Sequence, residues 1–169
     1  MSLMKRFLPA LLLLIGIGSY AQETDTAVEN YDQGFRLGFG LSAGLVTEDE
    51  FKAALGADVR LQYDLTSDTS LTLTTGYTSL LGDDGIPDLG FIPVKVGFKA
   101  FMLQSRFYVM GETGVGFAVT DDYDEATFIW SPAFGYANDT IDISIRYEDL
   151  NSYYDVGQIA LRVAYGFKI

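Results

Sequence analysis

The chain contains no cysteine and no histidine among its 169 residues. Without cysteine it can form no disulfide, offer no thiolate and carry no lipidated N-terminal cysteine. Without histidine it lacks the commonest general base and the commonest metal ligand. Proline is scarce, with four residues, and two of them, Pro93 and Pro132, interrupt otherwise regular stretches. Positive charge is in deficit too, with 11 Lys and Arg against 23 Asp and Glu, for a formal net charge of −12. Nucleic-acid binding needs a basic stripe to meet phosphates, and none is present. Beyond residue 18 no apolar run approaches the roughly 20 residues that a membrane-spanning helix requires.

What the chain does have begins with a segment foreign to the rest. Lys5 and Arg6 form a basic start, residues 7–18 an apolar stretch, and Ser19-Tyr20-Ala21 a small-x-small cleavage site before Gln22. This is the pattern of a secretory signal peptide over residues 1–21, too short in its apolar part to span a bilayer. Its removal takes away two positive charges and leaves a still more acidic product. Residues 22–33, with Glu23, Asp25, Glu29 and Asp32, are polar and aperiodic and read as a short periplasmic lead-in. Residues 34–169 then suit one domain.

Within that domain the side chains alternate with a period of two. The clearest case is 157–169, where Ile159, Leu161, Val163, Tyr165, Phe167 and Ile169 oppose Gln158, Ala160, Arg162, Ala164, Gly166 and Lys168. The same alternation places strands at 34–45, 53–65, 70–81, 91–102, 107–120, 126–137 and 140–148, making eight in all. About ten residues at roughly 3.3 Å rise and 40° tilt cover an apolar band of about 25 Å. Every predicted strand is long enough. Pro93 lies near one rim, where strand pairing can be irregular, and the more central Pro132 suggests a β-bulge, because a closed barrel has no edge on which a missing N–H is harmless.

Alternation alone does not decide which face points outward. A secreted lipocalin-like barrel also alternates, with its apolar face turned inward around a ligand. Here the polar face is crowded with Gly and Ala, which suits the narrow interior of an eight-stranded barrel. On a water-facing surface those glycines would weaken the strands without return. The apolar face is bulky, continuous and aromatic, and it calls for a partner as extensive as lipid. The expected fold is therefore an all-β, eight-stranded antiparallel up-and-down transmembrane β-barrel.

Links and aromatics agree with this reading. The links after strands one, three, five and seven are longer on the whole than those after two, four and six, as in barrels with short periplasmic turns and longer outer loops. Phe35, Tyr63, Phe107, Tyr136, Tyr165 and Phe167 gather toward the turn end, and Tyr77, Phe117, Phe128 and Tyr147 toward the loop end. These are the expected interfacial girdles.

With the strand pattern in hand, the runs 91–99 (FIPVKVGFK), 111–117, 131–136 (SPAFGY) and 141–147 give the chain a likeness. It resembles the small outer-membrane β-barrel family of OmpX-like and OmpA-barrel-like proteins over the whole mature length. The resemblance implies residence in the outer membrane of a Gram-negative bacterium, contact with outer-membrane lipid and lipopolysaccharide, and assembly by the barrel-assembly machinery. Members resemble one another in ending on an aromatic that this machinery reads. Here Ile169 is last, with Phe167 and Tyr165 on the same face, so those three residues are the expected C-terminal assembly signal. Barrel enzymes of that membrane resemble one another in using a histidine, so the chain is expected not to be an enzyme. The pattern implies neither cofactor nor metal.

Charges on the polar face form the candidate site. Arg36, Arg60, Lys95, Lys99, Arg146 and Arg162 would share the lumen with Asp58, Glu112 and Asp142, together with Asp64 and Glu148. A buried ion without a partner costs several kcal/mol, so a salt-bridge ladder centred on Glu112 is expected, plugging the barrel rather than gating it. The remaining acid lies in the links: 48–50; Asp83, Asp84 and Asp88; 121–125; Asp149 and Asp155. It reads as a solvated, repulsive rim, with weak Ca²⁺ or Mg²⁺ binding as the alternative, although no run has Ca²⁺-loop spacing. Tyr123, Tyr153 and Tyr154 could make the loop tips adhere to a surface partner. Two functions stay open, display of these loops by a plugged barrel and passage of ions or narrow solutes through a small porin-like channel.

Overall fold

The computed structural model describes residues 33–47, 51–83, 85, 87–102, 106–120, 126–150 and 156–169. The proposed signal segment and nearly all of the lead-in lie outside these residues. Eight strands follow one another: β1 (Phe35–Val46), β2 (Phe51–Asp64), β3 (Thr69–Gly82), β4 (Leu89–Phe101), β5 (Phe107–Ala118), β6 (Ala126–Ala137), β7 (Ile141–Leu150) and β8 (Val156–Lys168). Each pairs antiparallel with its sequence neighbours, and β1 pairs with β8, so the sheet closes into a barrel without an edge.

Sidedness follows the alternation. Leu41, Leu45, Val96, Phe98, Ile145, Leu161 and Tyr165 stand outward and exposed, at 70% and 71% for the two β1 leucines. Lys95, Glu112, Glu148 and Arg162 are turned inward and buried. An exposed apolar surface on this scale is far larger than water tolerates on a monomer. Apolar side chains directed inward around a ligand, as in a lipocalin, are not what these strands adopt.

The termini of β1 and β8 lie at one end of the barrel, called here the terminal end, with the β2–β3, β4–β5 and β6–β7 turns. The other end is the loop end. At the terminal end the rings of Phe35 and Tyr63 lie 4.8 Å apart, those of Phe107 and Tyr136 5.3 Å, and those of Tyr165 and Phe167 6.3 Å. At the loop end Trp130 and Tyr147 pair at 5.6 Å. The links are less uneven than expected, because β2 begins at Phe51. Residues 47–50 therefore make a connection no longer than the turn at 65–68.

Both strand prolines interrupt one ladder each. The β3–β4 ladder omits Gly76 and Tyr77 opposite Pro93 and Ile92, and the β6–β7 ladder omits Ser131 and Pro132 opposite Glu148 and Tyr147. Register is the same on both sides of each gap. Pro132 also pairs with Gly111 without a shift, so the bulge expected there is absent; the strand omits a hydrogen bond instead. The register does shift between Phe51 and Ala53, where β2 gains a residue against β3. That extra residue reverses the parity and turns Phe51, which the alternation of β2 would send outward, into the lumen, where it is buried.

Candidate functional site: the barrel lumen

The lumen is built from every second residue of eight strands, and it divides into polar clusters and apolar ends. Nearest the terminal end, Arg36 Nε donates to Asp64 Oδ2 at 3.2 Å, and Gln62 and Ser70 donate to Asp64 Oδ1 at 2.7 and 2.8 Å. Arg36 is a rim residue, with its side chain 24% exposed and a second carboxylate, Asp139, at 3.7 Å. Gln62 Oε1 lies 3.5 Å from Lys99 Nζ and joins the rim to the next tier.

That tier centres on Asp142. Its carboxylate accepts from Lys99 Nζ at 2.7 Å and from Tyr108 Oη at 2.6 Å, with Arg162 Nη1 at 3.9 Å. The Lys99 ammonium also lies 3.9 Å from the Tyr108 ring centroid, so Tyr108 meets the cation with its face and the anion with its hydroxyl. Arg162 presents Nε and Nη2 to Asp58 at 2.8 and 2.5 Å, a two-pronged pair across the β8–β1–β2 wall. Gly40 makes this possible. A Cβ there would stand 2.7 Å from the Arg162 guanidinium.

A further tier centres on Glu112. Arg60 Nη2 reaches both its oxygens at 3.3 Å, Thr74 Oγ1 donates to Oε1 at 2.6 Å, and Lys95 Nζ lies 3.9 Å from Oε2. Lys95 pairs more closely with Glu148, which also accepts from Gln158 Nε2 at 2.7 Å. Gly97 leaves room for Glu112, since a Cβ there would meet the Glu112 Cγ and Thr72 Oγ1 at 2.7 Å. Arg146 is inward and buried too, but it donates to the Ser42 hydroxyl at 3.1 Å rather than to a carboxylate.

Ten of the eleven charged residues singled out in the sequence thus face the closed interior, and Arg36 sits at its rim. Their arrangement has two hubs, Asp142 and Glu112, where a single ladder around Glu112 was expected. The neutral links, Thr74, Tyr108, Gln158, Gln62 and Ser70, were not singled out, because a hydroxyl or amide on the inner parity carries no mark of its partner. Among the described residues no group of three or more acids is placed to hold a metal ion. Most of the loop acids, including 48–50, Asp84, 121–125 and Asp155, lie outside them, as do Tyr123, Tyr153 and Tyr154.

The largest feature that the sequence reading missed is an apolar plug. Phe51, Leu80, Leu89, Phe91, Ile129, Leu150 and Val156 pack with Ala54 inside the loop end, each at most 3% exposed. A smaller group, Tyr108, Met110 and Ala137 with Phe101, lines the terminal end. Uninterrupted apolar runs such as Leu80-Leu81, Phe91-Ile92 and Phe128-Ile129-Trp130 were the available signal, because such a run marks a strand buried on both faces.

Comparison with solved structures turns this geometry into a placement. No family model matches the sequence, and no curated protein is significantly similar to it. Its fold does match the outer-membrane protein Ail of Yersinia pestis in a phospholipid bilayer nanodisc, at 16% identity and a TM-score of 0.56, over 80% of this chain and 99% of that one. It matches Neisserial surface protein A at 14% identity and 0.55, over 80% and 97%. It matches the N-terminal β-barrel domain of Pseudomonas aeruginosa OprF at 10% identity and 0.56, over 80% and 99%. The chain has the fold of the small eight-stranded outer-membrane barrels. Designed transmembrane β-barrels share it as well, at 14% identity and 0.53, over 78% and 94%. Those solved structures are of membrane barrels.

Proposed function

We propose that the chain is an integral outer-membrane barrel, sealed to solutes, that acts as a structural or surface-interaction protein by holding its loops outside the cell. The observation that carries this reading is the filling of the lumen by described side chains. Ion pairs fill its middle, and the apolar plug from Phe51 to Val156 fills its loop end. A continuous water column would have to dissolve both. This filling supports the plugged reading over transport, as eight-stranded barrels in general are filled by their own side chains.

Two of the similar structures support a surface role. Ail is described as an attachment invasion locus protein and has been solved with the heparin analogue sucrose octasulfate. For the present chain a polyanion is a poor fit, because Asp83, Asp88 and Asp149 stand at the loop end and the links add further acid. A partner with basic groups meets that rim favourably. The proposal includes export by residues 1–21 with cleavage after Ala21, and Tyr165, Phe167 and Ile169 as the signal to the assembly machinery. All three of these side chains stand outward on the last strand or just past it.

The test combines a heat-modifiability gel with protease treatment of intact cells. An integral barrel migrates faster unheated than boiled, begins at Gln22 by N-terminal sequencing, and is cut from outside only in the links after β1, β3, β5 and β7. Recovery as a freely dissolved periplasmic protein would overturn the proposal.

A further inference from the structure

Six cations line the lumen and its rim, and five carboxylates face them. Arg36 pairs with Asp64, Arg60 with Glu112, Lys95 with Glu148, Lys99 with Asp142 and Arg162 with Asp58. Arg146 is left over, with no carboxylate oxygen within 4.0 Å among the described residues, although it is only 4% exposed. Its charge reaches Asp58, Glu112 and Glu148 at longer range, and each of those already has a closer cation. The Nε–Nη2 edge of a guanidinium is the fork that takes an anion. At Arg162 that edge holds the Asp58 carboxylate. At Arg146 it is half used: Nη2 donates to the Ser42 hydroxyl at 3.1 Å, while Nε is buried and meets no acceptor among the described residues. Ser42, having accepted that bond, keeps its own O–H to donate. The surroundings are small. Arg146 is flanked on the sheet by Ala133 and Ala160, and the row runs on through Gly44 to Ala54, none with an atom beyond Cβ.

We propose that Arg146 and Ser42 hold a single halide ion, such as chloride, inside the barrel. Charge selects the occupant. A water molecule would accept from Nε but leave a lone buried cation, which is strongly unfavourable. A carboxylate or phosphate would answer the charge but brings several heavy atoms into an interior already filled by side chains. A halide answers it with one atom, in little more than the space of a water molecule, about 30 Å³. It accepts from Arg146 Nε and from the Ser42 hydroxyl together. The site needs only the closed lumen and is independent of where the loops act.

The experiment follows urea unfolding of the full barrel in detergent micelles as sodium gluconate is exchanged for sodium bromide at constant ionic strength. Above the dissociation constant, each tenfold rise in bromide should raise the folded-to-unfolded ratio close to tenfold. Arg146→Met keeps the aliphatic stem and removes the sixth cation, so it should fold without halide and lose this dependence. Ser42→Ala keeps the charge and should need several-fold more bromide for the same gain. Crystals grown in bromide should give an anomalous peak between Arg146 Nε and Ser42 Oγ. A response to bromide that Arg146→Met shares overturns the site, as does a water at Nε with no anomalous signal. A peak without any bromide dependence of stability marks an adventitious ion only and overturns it too. Should Arg146→Met fail to fold, the peak and the bromide dependence of the unaltered protein decide.

Discussion

Glu112 accepts hydrogen bonds from Arg60 and Thr74 while Lys95 stands 3.9 Å away, all of them buried. Replacing one partner of a buried pair strands the other, at a typical cost of about 3–5 kcal/mol. Glu112→Gln should lower barrel stability by about that amount in urea unfolding from detergent micelles, with no conductance appearing in bilayer recordings. An ion current in that variant would show that the charge gates a path. A second residue-scale prediction concerns space. Gly40→Val drives a branched side chain into the Arg162 guanidinium and pulls it from Asp58, so it should cost at least the roughly 1–3 kcal/mol of an overpacked core. Gly38→Ala is the control in the same strand, since a Cβ there meets nothing closer than 3.7 Å. At this scale the sequence was informative about which charges face inward and uninformative about who pairs with whom. Parity is local, whereas Arg162 and Asp58 are brought together only by closure of the barrel.

At the scale of the strand, the β2 bulge decides the fate of one aromatic. It comes between Phe51 and Ala53 and turns Phe51 inward, although strict alternation sends it to lipid. Deleting Lys52 removes the extra residue and leaves Phe51 opposite Gly82 on the inner face, so the plug should survive that change. Phe51→Ala removes the ring itself. It should destabilise the barrel by about 3–5 kcal/mol in chemical denaturation, and the deletion by far less. Equal losses from the two changes would show that the bulge does something else. Strand existence, order and most bounds were legible from the sequence because period-two alternation is strong in this chain. The bulge was not, since an extra residue at a strand end looks like part of the neighbouring link. Pro132 drew attention instead, and it is accommodated by a missing rung with β7.

For the whole molecule, closure and plugging act together. Lumen charges find partners because the wall is continuous, and Leu89 and Phe91 cap them from the loop end. Refolded protein in planar bilayers should be electrically silent. Trimming the plug with Leu89→Ser and Phe91→Ser should admit water to the Lys95–Glu148 level and raise membrane leak without abolishing heat-modifiable mobility. Steady single-channel steps from the unmodified protein would count against the sealed-barrel reading and in favour of transport.

The sequence by itself determined that the chain makes strands, that each has a greasy and a polar face, and that histidine- and cysteine-based chemistry is excluded, because period and composition are properties of neighbouring residues. The tertiary structure alone decided the two hubs and the apolar plug. Each is a row or ring of residues drawn from several strands, and such rows exist only once register and closure bring distant positions to the same height.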